Sequence, residues 1–170
     1  MSDDLLGQAI ASLRLRDIVL YASRFARPVS PSESLVEGTT QSKRQVQFGR
    51  GTAEEEGTTK QLLQVLVELG IRIVGHEKAG QEPPVFVEIE ADFLAEYELV
   101  SDVSDEAIKL FADLNSVHNV WPFWRQHVFD VAQRGRLPPI VIPLFAGSML
   151  SQAPANDPAA ADLPVERERS

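Results

Sequence analysis

From residue 85 to residue 100 the chain reads VFVEIEADFLAEYELV, and two kinds of side chain alternate along it. Val85, Val87, Ile89, Ala91, Phe93, Ala95, Tyr97 and Leu99 fall on one side, with Glu88, Glu90, Asp92, Glu96 and Glu98 on the other. A period of two is the mark of a strand, here one with an apolar face and an acidic face. Residues 60–74 repeat the pattern: Leu63, Val65, Val67, Leu69, Ile71 and Ile73 make an unbroken apolar face opposite Gln64, Leu66, Glu68 and Arg72. Residues 13–25, LRLRDIVLYASRF, are rich in β-branched and aromatic residues and predict a first strand ended by Pro28 and Pro31. A weaker strand is expected over residues 42–49, where Val46 and Phe48 alternate with Gln45 and Gln47, followed by a turn in GRGTAEEEGTT. HEKAGQEPP then connects to the acidic strand. Four strands joined by turns, without intervening helices, predict an antiparallel meander.

The helical pattern lies at the two ends. Ser2 can cap a short opening helix in which Leu5, Leu6, Ala9, Ile10 and Leu13 recur at helical spacing. Ser104 begins a longer region, SDEAIKLFADLNSVHNVWPFWRQHVFDVAQRG, with Ala107, Leu110, Leu114, Val117, Trp121, Trp124, Val128 and Val131 three to four apart and Gly135 as the stop. Pro122 predicts a kink or a break near Asn119, with the proline opening a second helix. LPPIVIPLF follows as an extended segment, and the sequence from Ser151 onward is too polar and proline-rich to order itself. The chain therefore divides into a helical extension (1–12), an α+β domain (13–150) whose sheet carries helices on one face, and a flexible tail (151–170).

Composition narrows the chemistry. The 170 residues, 44% hydrophobic, suffice for one domain with one core. No stretch approaches the roughly 18 apolar residues of a membrane span, and the acidic opening lacks the features of a secretory signal. Without cysteine there are no disulfides, thiolate metal sites or cysteine nucleophiles, and a cytoplasmic location is expected. A net charge of −9 opposes nucleic-acid binding despite the local basic residues Arg14, Arg16 and Arg24. GRGTAEEEGTTK lacks phosphate-loop spacing, and its three glutamates would repel phosphate. His127 and Asp130, three apart, could pair as base and orienter, but no nucleophile accompanies them and a surface histidine is the simpler reading. The three histidines lack metal-ligand spacing, so neither cofactor nor catalytic set is expected. Charge written along a strand points to binding by a sheet face.

Three segments resemble the SecB protein-export chaperones. LRDIVL, from Leu15, looks like the family's first-strand signature; FVEIE carries its characteristic glutamate at Glu88; WPFWRQHVFDVAQRGRLPPIVIPLF is similar to its aromatic–Pro–aromatic–x–Arg helix, Arg-Gly, prolines and final Phe. His118 stands where the family commonly has asparagine, the proline segment is about one residue shorter, and the Tyr21 region replaces a frequent acidic residue. The resemblance implies a passive holdase, assembled as a dimer of dimers, whose clients are unfolded preproteins or, in divergent members, an aggregation-prone antitoxin. It also implies an acidic docking face for the ATPase SecA, carried over to Asp17 and Glu88, with Glu90 and Asp92 as neighbours, or else a face that merely keeps the sheet soluble. Phe86, Leu94, Trp121, Phe123, Trp124 and Phe145 are the candidate lining of a client groove. Phe123 and Trp124 are favoured within that set, because Trp121 and Trp124 should point one way and Phe123 another. An α+β ligand-binding or enzymatic domain is the alternative.

Overall fold

The computed structural model describes residues 2–28, 38–76, 80 and 82–145; Pro31, part of the connection before the acidic strand and the tail from Ser151 lie outside them. In chain order the elements are α1 (Ser2–Ser12), β1 (Leu13–Ala26), β2 (Thr39–Glu55), β3 (Thr58–Val74), β4 (Val85–Leu99), α2 (Asp105–Phe111), a π-turn (Ala112–Ser116) and α3 (Val117–Arg134).

All strand pairs are antiparallel, in the order β1-β4-β3-β2. The sheet is thus a Greek key and not the expected meander: β2, β3 and β4 follow one another, but β1 joins the far side of β4. Hydrophobicity decides this order. On the helix-facing side, Leu63, Val65, Val67, Leu69 and Ile71 of β3 and Val87, Ile89, Ala91, Phe93, Ala95 and Tyr97 of β4 are all buried. Two such strands cover each other best at the centre, and the more polar β1 and β2 take the edges.

β2 is much longer than residues 42–49. It runs to Glu55 and pairs with β3 without a register shift from Thr39↔Val74 to Glu55↔Thr58. Only Glu56 (φ 50°) and Gly57 (φ 75°) form the turn, both left-handed as a two-residue hairpin requires. The glycines and glutamates of GRGTAEEE are poor strand formers, and the apolar face of β3 supplies the missing preference by ordering the strand beside it.

α2, the π-turn and α3 lie across the inner face, burying Ala107, Ile108, Phe111, Val117, Val120, Trp124, Val128 and Ala132. Ser104 caps α2 as expected, accepting from the Ala107 amide at 3.3 Å. Pro122 does not open a second helix: α3 runs unbroken through Asn119 with the proline inside it on its exposed side, and the departure from α geometry comes earlier, in the π-turn. Tyr97 is its neighbour there, packed edge-on against Phe111 at 5.0 Å and accepting from Asn119 Nδ2 at 3.1 Å. Burial pushes the Tyr97 phenol above its usual range. Gly135 ends α3, but for reasons of space: its φ is −77°, and a Cβ there would lie 2.8 Å from the Phe25 ring. Among the described residues no helix is long and apolar enough to cross a membrane.

Candidate functional site

Two surfaces carry the residues singled out by the sequence, and they lie on opposite sides of the sheet. The outer side, uncovered by helices, bears Glu88, Glu90, Asp92, Glu96 and Glu98 of β4, flanked by Glu68 of β3. Most of this charge is answered by neighbouring strands. Arg24 reaches Glu88 at 3.1 Å and Glu90 at 3.7 Å, and Lys43 crosses over Gly70 to pair with Glu90. Arg16 pairs with Glu55 and lies 3.6 Å from Glu96, while Lys60 joins Glu55 at 3.0 Å and Glu98 at 3.4 Å. Hydrogen bonds from Lys60 and Arg16 hold the Glu55 carboxyl below the usual carboxylate range.

Asp92 makes no ion pair among the described residues. It sits directly across from Glu68. Partial burial, with repulsion from Glu68 second, raises its carboxyl above the ordinary 3.8. Asp17 is exposed on β1, its carboxylate accepting from the Ile18 amide at 2.9 Å. The four acidic candidates therefore differ: Glu88 and Glu90 are paired, whereas Asp92 and Asp17 keep uncompensated charge.

That difference has a consequence for stability. A carboxyl raised in the folded state binds its proton more tightly there than when unfolded, so its ionisation at neutral pH weakens the fold. Asp92→Asn should stabilise the protein by about 0.5 kcal/mol at pH 7, the scale of a like-charged cross-strand pair. The gain should fade as pH falls and Asp92 takes up its proton. Urea midpoints at fixed protein concentration measure it, and an unchanged midpoint at pH 7 would mean that the repulsion is already relieved.

The helix-bearing side holds the aromatic candidates, but not all of them. Trp121 is half-buried on the flank of α3, and its indole Nε1 donates to the Pro143 carbonyl at 2.8 Å. Phe145 lies 5.3 Å from Trp121 and 6.4 Å from His118, with the Arg44 guanidinium 6.0 Å from its ring. Phe123 projects from the opposite flank of α3, 49% exposed. Trp124, favoured from the sequence as a client contact, is 2% exposed and faces the sheet, so it belongs to the core, and Trp121, on the same side of α3, packs against that core from its edge. Leu94 and Phe86 also fall outside this group. Leu94 pairs with Leu66 and Val19 on the acidic face. Phe86, of the same parity, packs at the sheet's end, where a Cβ on Gly75 would meet its ring at 2.9 Å. The groove expected from six residues thus reduces on this side to Trp121, Phe145 and, on the far flank, Phe123.

Three further side chains complete the picture. Arg44 and Asp113, which the sequence did not mark, stand at the gap between β2 and the π-turn, with Arg44 Nη1 buried and lacking an acceptor among the described residues. His127 is half-buried, not on the open surface: its ring stacks on Trp124 and meets Phe93 edge-on, each at 6.3 Å. Burial lowers its pKa, and the 360 Å³ hollow nearest the acidic ladder, lined by Lys43, Arg72, Glu88 and Glu90, contains no histidine. Among the described residues no nucleophile is hydrogen-bonded to His127.

No family model matches the sequence, and no curated protein matches it. Among solved structures the chain is similar to the Mycobacterium tuberculosis Rv1957 SecB-like chaperone in complex with a ChAD peptide from the Rv1956 HigA1 antitoxin. The match has a TM-score of 0.59 at 17% identity and covers 85% of this chain and 98% of that one. The fold is SecB-like. At this identity the likeness concerns the path of the chain, and it spans nearly all of that SecB-like structure. The SecB-like arrangement accounts for the separation of the two surfaces, since every charge on the outer parity of β4 is divided by the sheet from the aromatic residues of α3.

Proposed function

We propose that this protein is an ATP-independent holdase that keeps an unfolded or aggregation-prone polypeptide in solution. One observation carries the reading: a SecB-like sheet bears, on its helix side, aromatic residues left open to water. Phe123 and Phe129 are 49% and 54% exposed, and Trp121 with Phe145 edges the gap beside β2. Exposed apolar groups in such number mark a surface that expects a partner. Weak apolar contacts repeated along an extended client give affinity without an energy source.

The client class favoured is an antitoxin-like chain, as in the SecB-like complex described above. Pairing of Glu88 and Glu90 with Arg24 and Lys43 supports this over export, because a face neutralised from within offers little to a basic partner such as SecA. In the export reading Asp17 and Asp92 would carry that docking. The working assembly is a homotetramer, a dimer of dimers in the cytoplasm, which lengthens the path a client can follow.

Suppression of aggregation tests the function. At near-stoichiometric ratio and without ATP, the protein should keep a chemically denatured model enzyme in solution, and Trp121→Ala with Phe123→Ala should lose most of that activity. A wild-type protein that stays monomeric and protects nothing would favour a ligand-binding or enzymatic domain instead.

A further inference from the structure

The gap between edge strand β2 and the π-turn contains two opposite charges that do not meet. Arg44 lies on the helix-facing parity of β2, opposite Leu69, and its Nη1 is shielded from water without a hydrogen-bond acceptor among the described residues. Asp113 is half-buried on the π-turn. Burial raises its carboxyl, and the charges of Lys109 and Arg44 oppose the rise, so Arg44 and Asp113 sense one another although no ion pair joins them. A shielded donor with no acceptor is costly, and a charged one more so. Such groups persist where a ligand supplies what is missing.

The same gap shows what it can hold. Residues 138–145, which form neither helix nor strand, reach it at two points: the Pro143 carbonyl accepts from Trp121, while Phe145 lies between Trp121 and Arg44. Trp121 thus already holds an irregular stretch of polypeptide by a main-chain oxygen and by contact with its aromatic side chain. Beside it stand Arg44, whose Nη1 donor has no acceptor, and the half-buried Asp113, whose carboxylate makes no ion pair among the described residues.

We propose that Arg44 and Asp113 form a main-chain clamp for an extended client segment, Arg44 donating to a backbone carbonyl and Asp113 accepting a backbone N–H. The proposal rests on the chaperone reading above and adds how a client is read. Every residue offers a carbonyl and every residue but proline an N–H, so the clamp is indifferent to side chains. Selectivity would then come from the aromatic residues alone. A guanidinium suits the role because its donors are fixed in a plane and it stays charged when shielded from water. Holding donor and acceptor apart before binding means that neither must first break a bond to the other.

Binding of two fluorescent peptides by the full-length protein tests the clamp: an unstructured peptide with alternating aromatic and polar residues, and the same peptide N-methylated at alternate amides. The wild type should bind the methylated peptide about tenfold more weakly, the effect of losing a hydrogen bond to a charged group. Asp113→Ala should bind both alike, at the weaker level. Arg44→Met, which keeps an aliphatic stem against Phe145, should weaken both peptides by the same factor. Circular dichroism at the wild-type level confirms that the variants fold. Equal wild-type affinity for the two peptides, or variants that bind as wild type does, would overturn the clamp and leave the chaperone reading standing. A wild type that binds neither peptide would overturn both.

Discussion

Replacing Trp124 by alanine should cost the fold about 4 kcal/mol, whereas Phe123→Ala next to it in sequence should change stability by less than about 0.5 kcal/mol. The contrast follows from which way each side chain points. Trp124 is 2% exposed and packs within the core that α3 makes with β3 and β4, its ring stacked on His127. Removing the indole forfeits its transfer from water and leaves a cavity that β-branched neighbours such as Val120 and Val128 cannot collapse to fill. Domains of this kind have roughly 5–15 kcal/mol in all, so the variant should unfold at much lower urea or fail to accumulate as soluble protein. Phe123 is 49% exposed and leaves no cavity. Its loss should instead appear in client protection, which separates packing from binding at adjacent positions. Circular dichroism in urea, at equal protein concentration for both variants, decides the matter. A stable Trp124→Ala protein would mean that the indole is not part of the core.

How far this could be read from the sequence depends on the range of the interaction involved. The central strands were legible because β3 and β4 bury one face each, and a period of two survives along both. α2 and its Ser104 cap were legible for the same local reason. Long-range choices were not. Nothing in TTQSKRQVQFGRGTAEE announces a strand running from Thr39 to Glu55; β3 imposes it by pairing. The place of β1 beside β4 is likewise a decision of the whole sheet.

The binding surfaces show the same division. Parity placed the acidic residues on one face correctly, yet their neutralisation depends on Arg24, Lys43, Arg16 and Lys60, which come from three other strands. Helical spacing alone put Trp121 and Trp124 on one side of α3. That spacing does not give their depth, which the seat of the helix on the sheet decides: Trp124 is fully covered and Trp121 packs at the core's edge with Phe145. Arg44 and Asp113 carried no local signal, being one charge in a polar strand and one in a helix. A guanidinium shielded from water is visible only once β2 and the π-turn are brought together.

Introducing lysine at Leu15 and Leu20 together should dissociate the proposed tetramer and abolish client protection. Both residues belong to edge strand β1, 46% and 50% exposed, and Phe25 on the same face is 43% exposed. Their partners across the pairing are Tyr97, Phe93 and Ile89, so all three lie on the helix-bearing side, where the helices cover them only in part. The spacing of five arises because the register shifts between Leu15 and Asp17 and again between Leu20 and Ala22. Those irregularities twist the ladder and discourage simple edge-to-edge extension of the sheet, which leaves the apolar side chains as the means of association. Two lysines there would have to lose their water in any such contact, at a cost of several kcal/mol, while an isolated chain would gain solubility and lose only the half-covered packing of two edge leucines. Light scattering should find the double variant at the 18.8 kDa of a single chain, folded by circular dichroism, and the wild type at four times that mass. An assembly that survives both lysines would move the contact to another surface, the α3 flank with Phe123 being the next in exposure. A wild type that is itself monomeric would remove the extended path on which passive holding of a long client depends.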